Sequence, residues 1–152
     1  DQSIDLLVIL NVLEHIEDDV GALQKAFNLL KPGGYLIIEV PAGPYLYDSY
    51  DAELQHFRRY SAKELQHKLA GVGFNLRRKS HLGFVLFPAF VAVKLLTKWF
   101  SPRRNNAVVR DQATSTAHNR LVKFAMEFES KRLSTFQLPF GIRVLMTAQK
   151  PV

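Results

Sequence analysis

Two short apolar runs, Ile4-Asp5-Leu6-Leu7-Val8-Ile9-Leu10 and Tyr35-Leu36-Ile37-Ile38-Glu39-Val40, constrain this chain more than any other feature. Runs this brief and this continuously apolar suit strands covered on both faces, the environment of a parallel sheet. Between them Ile16, Val20, Leu23, Phe27 and Leu30 recur at helical spacing as one stripe of an amphipathic helix, and Lys31-Pro32-Gly33-Gly34 stops it. Strand, helix, tight turn and strand make a right-handed βαβ unit.

Downstream, Ala42 to Tyr60 is rich in Gly, Pro, Tyr and Asp without sustained periodicity, and reads as a long loop after a strand's carboxyl end. Ser61 with Glu64 predicts a capping box, Leu65, Leu69 and Val72 line the helix that follows, and Gly71 to Gly73 ends it. Phe74 to Leu82 reads as a polar outer strand. Gly141 to Gln149 reads as a strongly apolar one, with Ile142, Val144, Met146 and Ala148 alternating. Residues 83–140 are too long a connection for a hairpin and carry helices of their own. Gly83 to Phe100 is nearly all apolar, residues 101–118 are polar, and Leu121, Phe124 and Phe128 stripe a second helix.

Composition narrows the function classes. With 152 residues, 47% of them hydrophobic, the chain can bury a sizeable core as one domain. The absence of cysteine excludes a disulfide framework, a thiolate zinc site and a cysteine nucleophile, and makes the cytoplasm the default compartment. Charge is divided unevenly: residues 1–57 carry −8 and residues 58–152 carry +14. The basic residues are scattered and no helix-turn-helix or ribonucleoprotein pattern accompanies them, so no nucleic-acid partner is expected.

Three segments in order, Leu10-Asn11-Val12-Leu13-Glu14-His15-Ile16, Leu30-Lys31-Pro32-Gly33-Gly34-Tyr35-Leu36 and His56-Phe57-Arg58-Arg59-Tyr60-Ser61, resemble the second half of class I S-adenosylmethionine-dependent methyltransferases, near the ubiquinone-biosynthesis O-methyltransferase-like branch. The resemblance covers residues 1 to about 82 closely and 141–150 loosely. It implies an α/β fold, a partial Rossmann-like methyltransferase sheet holding strands four to seven. The last strand would be antiparallel, with residues 83–140 a helical insertion before it. Residues 1–152 would then be the C-terminal part of one domain. Strands one to three, the Gly-rich cofactor loop and the ribose-binding acid would be missing from it, and the stretch alone would be inactive. Gly33-Gly34 cannot replace that loop, because it ends a helix rather than opening one onto a ligand.

The resemblance implies S-adenosyl-L-methionine as cofactor and a small-molecule or lipid-linked acceptor, methylated at oxygen. Leu10, Asn11, Val12 and Glu14 would bind the cofactor, His15 would be the catalytic base, and His56, Arg58, Arg59 and Tyr60 would hold the acceptor. In ubiquinone-type enzymes the Glu-His pair, with an acid three residues earlier, looks like a divalent-metal or general-base site. Asn11 stands at that earlier position here and is a weaker ligand for a hard cation, so no metal is assigned. A purely structural reading stands beside each of these: His15 packing the first helical turn, and the arginines pairing with Asp48, Asp51 or Glu53. The apolar segment from Leu82 to Val93 is too short to span a bilayer. With Lys94, Lys98, Trp99, Arg103 and Arg104 it suits either a membrane-surface helix or a cap over the site. A strand with apolar faces at the sheet's edge predicts self-association, a complementing partner or a missing N-terminal half. The rival function is a non-catalytic binding or membrane-docking module on the same fold.

Overall fold

The protein is described by a computed structural model covering residues 2–100, 120–133 and 135–152. Four strands, β1 (Ile4–Leu10), β2 (Leu30–Pro41), β3 (Asn75–Leu82) and β4 (Arg143–Gln149), form one sheet in the order β1-β2-β4-β3. β1 and β2 run parallel, and β4 lies antiparallel to both β2 and β3. The last strand in sequence is therefore inserted between two earlier ones, the expected arrangement, and the polar strand β3 does sit at the edge.

Helix α1 (Asp19–Leu29) crosses from β1 to β2, and α3 (Ala62–Val72) leads from the long loop into β3. Both lie on one face of the sheet, where Leu23, Leu30, Leu36, Ile38, Val40, Leu65, Leu69, Val144, Met146 and Ala148 build the core. Asp18 caps α1 by accepting a hydrogen bond from the Gly21 amide at 2.9 Å. Its buried stripe runs through Leu23 and Ala26 to Leu30. Val20, expected on that stripe, is exposed instead, because the helix begins only at Asp19 and Leu13–His15 forms a separate 3-10 turn.

The segment Lys31–Gly34 is not a plain turn between helix and strand. β2 already begins at Leu30, which pairs with Ile4, and the ladder resumes at Tyr35 opposite Leu6, so the intervening residues bulge out. The bulge is anchored on the chain's end by reciprocal backbone bonds, Gly33 N to Lys150 O at 3.0 Å and Lys150 N to Gly34 O at 2.9 Å. A side chain on Gly34 would meet the carbonyl oxygens of Lys31, Ile4 and Asp5 at 2.9, 3.2 and 3.3 Å, so this glycine serves close strand packing.

The loop after β2 is more ordered than its composition suggests. A 3-10 turn, Pro44–Leu46, is followed by a short helix α2 (Ser49–Glu53), which carries the full reciprocal capping box, Asp48 with Asp51. At Ser61 only half of the expected box forms: its hydroxyl accepts from the Glu64 amide at 3.1 Å, while the Glu64 carboxylate faces Lys68.

Within residues 83–140, helix α4 (Phe87–Phe100) has Pro88 in its first turn, where its missing amide costs nothing. Helix α5 (Arg120–Phe128) runs into a π-helical turn, Glu129–Leu133. Buried Glu129 joins the two pieces by accepting from the amides of Gly83 and Val85 at 2.7 and 3.1 Å. Lys94, one of the basic residues that suit either a membrane-surface helix or a cap, is buried and turned into the protein. The side chains of Lys98 and Trp99, together with residues 101–119, lie outside the described residues. Among the described residues no helix is long and apolar enough to cross a membrane.

Candidate functional site

β1 and β2 are parallel neighbours, so their carboxyl ends open on the same edge of the sheet, the place where open α/β sheets collect ligands. At the end of β1 the chain turns through Asn11, whose φ of +53° is the left-handed conformation that asparagine tolerates better than most side chains. Its amide donates to Glu39 O at 3.0 Å. Its side-chain oxygen accepts from Arg143, which also pairs with Glu39 at 2.6 Å, so one arginine of β4 ties together the ends of β1 and β2. Leu10 and Val12 stay exposed beside it.

The 3-10 turn Leu13–His15 then drives Leu13 and Glu14 inward and leaves His15 exposed. The loop after β2 folds back over this turn. The Phe57 amide donates to Glu14 O at 2.8 Å, and the rings of His15 and His56 meet edge to face with centroids 4.7 Å apart. His56 is fixed on its other side: Nδ1 lies 3.1 Å from Asp51 Oδ1, and its carbonyl accepts from the Tyr47 hydroxyl at 2.8 Å.

Asp51, fully buried, is the hub. It accepts from Arg59 Nε at 2.8 Å through Oδ1 and from Lys94 Nζ at 3.0 Å through Oδ2. Burial alone would raise its carboxyl pKa, but the bond and charge of Arg59, reinforced by Lys94, outweigh it and hold the group at about 2. A second hub forms at Asp19, which takes the Tyr60 hydroxyl at 2.8 Å and pairs with Lys68 at 2.5 Å and Arg58 at 2.9 Å. Burial and the bond to Asp19 push the Tyr60 hydroxyl upward, so it stays protonated.

The residues singled out from the sequence therefore divide. Glu14, His15 and His56 come together at the mouth of the parallel pair. Tyr60 is fully buried with its hydroxyl committed, and Arg59 is buried against Asp51 and Ala42 O. Arg58 donates to Glu17 O at 2.7 Å and reaches Asp19. As they stand, Arg58 and Tyr60 tie the loop to the segment Leu13–Asp19 that leads into α1, and Arg59 braces the loop from within. Lys94 and Arg143 were missed: each lies far along the sequence from its acidic partners, and only the folded topology brings them together.

The methyltransferase domain family matches residues 1–79, just over half of the 152. A Mycolicibacterium smegmatis protein named "Probable S-adenosylmethionine-dependent methyltransferase" is 31% identical over 78 residues, covering 50% of this chain and 30% of that protein. Among solved structures, an S-adenosylmethionine-dependent methyltransferase from Archaeoglobus fulgidus superposes with a TM-score of 0.55 at 17% identity, covering 99% of this chain and 61% of the other. Phosphoethanolamine N-methyltransferase 2 of Haemonchus contortus, in complex with S-adenosyl-L-methionine, gives 0.51 at 17%, covering 99% and 34%. This chain thus spans under two thirds of each of these relatives, and about a third of the Mycolicibacterium and Haemonchus proteins. The match over residues 1–79, with the last strand lying antiparallel between β2 and β3, places the chain in the methyltransferase domain family.

Proposed function

We propose that this chain forms the acceptor side of an S-adenosylmethionine-dependent methyltransferase that moves a methyl group to the hydroxyl of a small or lipid-linked acceptor. One observation carries the reading: His15 and His56 meet, 4.7 Å between ring centroids, at the carboxyl ends of two adjacent parallel strands.

The residues at that edge fit the methionine part of the cofactor. Leu10 and Val12 offer an exposed apolar ledge for its thioether chain, and Asn11 turns the backbone between them. Gly34 is engaged in strand packing, so the Lys31–Gly34 bulge is no substitute for a Gly-rich cofactor loop. When bound, the cofactor supplies an electrophilic methyl group, and what remains for the protein is alignment and removal of a proton. Exposed His15 is our candidate for taking that proton, since its imidazole stands at the carboxyl ends of the two parallel strands, where the acceptor would meet the methyl group. His56 and exposed Phe57 are the acceptor contacts we favour, with Arg58, Arg59 and Tyr60 holding the loop that carries them.

A lipid-linked acceptor and peripheral membrane contact at the cytoplasmic face are supported by the outward apolar residues of α4 and α5. Val93, Leu96, Phe124 and Met126 are all more than half exposed, with basic Lys123 among them.

Calorimetric titration of S-adenosylmethionine into the full-length protein and into residues 1–152 tests the cofactor assignment, with binding expected for the full-length protein. No binding to either removes the methyltransferase reading. Once an acceptor has been found by screening, His15→Ala is expected to lower kcat by about 100-fold or more with unchanged cofactor affinity. An undiminished kcat removes His15 as base.

A further inference from the structure

The cations around the acceptor loop are spent on the protein itself. Arg58 goes to Glu17 O and Asp19, Arg59 to Asp51 and Ala42 O, Lys68 to Asp19, and Lys94 to Asp48 and Asp51. A guanidinium with donors still to give stands elsewhere. Arg143 opens β4 in register with Pro41 and Leu82, the last residues of β2 and β3, and its side chain reaches Asn11 just beyond β1. β1, β2 and β3 all run in the same direction, so this one arginine lies across three carboxyl ends, on the edge where open α/β sheets collect ligands.

The guanidinium is held on one side and open on the other. Its bonds to Glu39 Oε1, at 2.6 Å, and to Asn11 Oδ1 both leave from Nη1. Nε and Nη2 have no partner among the described residues, and the side chain is 43% exposed. A solvated arginine loses rotamer freedom when it grips a ligand, whereas this one is already fixed by Glu39 and Asn11. The fork left over presents two parallel N–H donors, which match the two oxygens of a carboxylate or of a phosphate.

We propose that Arg143 sets the specificity of the acceptor site by gripping, through Nε and Nη2, an oxyanion carried by the acceptor. The acceptor is then a small molecule bearing a carboxylate or phosphate group apart from the atom that is methylated. The identity of the ligand rests on the methyltransferase reading; the binding itself does not. Register assigns the anion to the acceptor rather than to the cofactor. Pro41, opposite Arg143, leads into the loop that carries His56 and Phe57, while the Leu10–Val12 ledge lies one strand further out. Glu39 shares the charge of Arg143, so selectivity comes from the shape of the fork, and an ammonium of equal charge does not replace it.

The test follows the Nε–H resonance of Arg143 in proton–nitrogen NMR spectra of the full-length protein, identified by its loss in Arg143→Lys. S-adenosylmethionine is added first, then benzoate, phenyl phosphate or, as the neutral control, benzamide. Saturable movement of the resonance is expected with benzoate or phenyl phosphate and not with benzamide, and the tighter of the two anions tells carboxylate from phosphate. Arg143→Lys is expected to weaken that anion about tenfold or more, read from the ligand's own signals, with the unfolding temperature kept because a positive charge still faces Glu39. The spectrum of the unmodified protein decides the matter even if the variant does not fold. Cofactor binding with no response to either anion overturns this proposal and leaves the methyltransferase reading standing, whereas failure of S-adenosylmethionine to bind counts against that reading. A resonance moved by S-adenosylmethionine alone and by neither anion gives the arginine to the cofactor and overturns the proposal, as does anion binding unaltered in Arg143→Lys.

Discussion

Lys94 reaches from α4 into the loop after β2 and sets its ammonium 3.0 Å from Asp51 Oδ2. The same group bonds Asp48 Oδ1 at 2.7 Å and lies over the rings of Tyr50 and Phe90. The family match ends at residue 79, so a residue beyond the matched region clamps the loop that carries His56. Lys94→Met removes one of two cations from buried Asp51 and leaves Arg59 in place. A cost of about 2 kcal/mol is expected, below that of a fully orphaned buried charge. Urea unfolding measures it, and faster amide exchange at Tyr50 and Asp51, whose N–H groups bond Asp48 Oδ1, locates it. Unchanged stability would make the clamp incidental.

Asp19 provides a pH-dependent contribution. Burial alone would raise its carboxyl pKa, but hydrogen bonds from Lys68 and Tyr60 and the charges of Lys68 and Arg58 hold it below 3.8. The folded pKa is therefore lower than the unfolded one. The stability it contributes is complete above the ordinary carboxylate range and is lost as pH falls through the folded value. Asp19→Asn is expected to cost roughly 3 kcal/mol at neutral pH, and the gap from the unmodified protein should narrow in acid. A gap constant from neutral pH down to acid would show that the ionised form of Asp19 is not what matters.

Much of this fold is written in local pattern. Ile4–Leu10 and Tyr35–Val40 could hardly be anything but strands, and the polar run Asn75–Leu82 had to lie at an edge, but the apolar run Ile4–Leu10 is not buried on both faces as its pattern predicts: it ends the sheet, with Leu6, Val8 and Leu10 exposed. Val20 was misplaced because the apolar spacing continues through the 3-10 turn, although the helix itself starts only at Asp19. The site was half legible. Glu14 and His15 stand together in sequence, but the approach of His56 depends on Asp51, Arg59 and Lys94, charges that look like solvated surface until the fold buries them. Tyr60 and Arg59 read as ligand-binding groups for the same reason: sequence shows their chemistry, but not that Asp19 and Asp51 already satisfy it.

Two glycines should respond to alanine in opposite directions. At Gly34 the new methyl would press on three carbonyl oxygens of the β1–β2 crossing, the nearest at 2.9 Å, and backbone cannot swing aside as a side chain can. A loss of about 2 kcal/mol is expected. Gly71 lies near the end of α3 with nothing within 4 Å of an added Cβ, and alanine there should stabilise by roughly 0.5–1 kcal/mol through helix propensity. Thermal unfolding of the two variants side by side checks both, and a Gly34→Ala protein as stable as the parent would contradict the packing described for the bulge.

Among the described residues β1 pairs with β2 alone, and Leu6, Val8 and Leu10 on it are 52%, 48% and 47% exposed. An edge strand with a row of bare apolar side chains has both the unpaired backbone groups and the apolar surface that draw another strand. Such a row on a strand with parallel-sheet character is costly in water, at roughly 25 cal/mol for each Å² of apolar surface left uncovered. Residues 1–152 on their own are therefore expected to associate as concentration rises. Replacing Leu6 and Val8 together by lysine should yield a folded monomer, because both side chains point away from the core and a charged edge repels its like. Light scattering coupled to size exclusion reads the outcome directly. A parent chain that stays monomeric at high concentration would mean that the exposed row costs too little to drive pairing, and the case for a covering strand would fall with it.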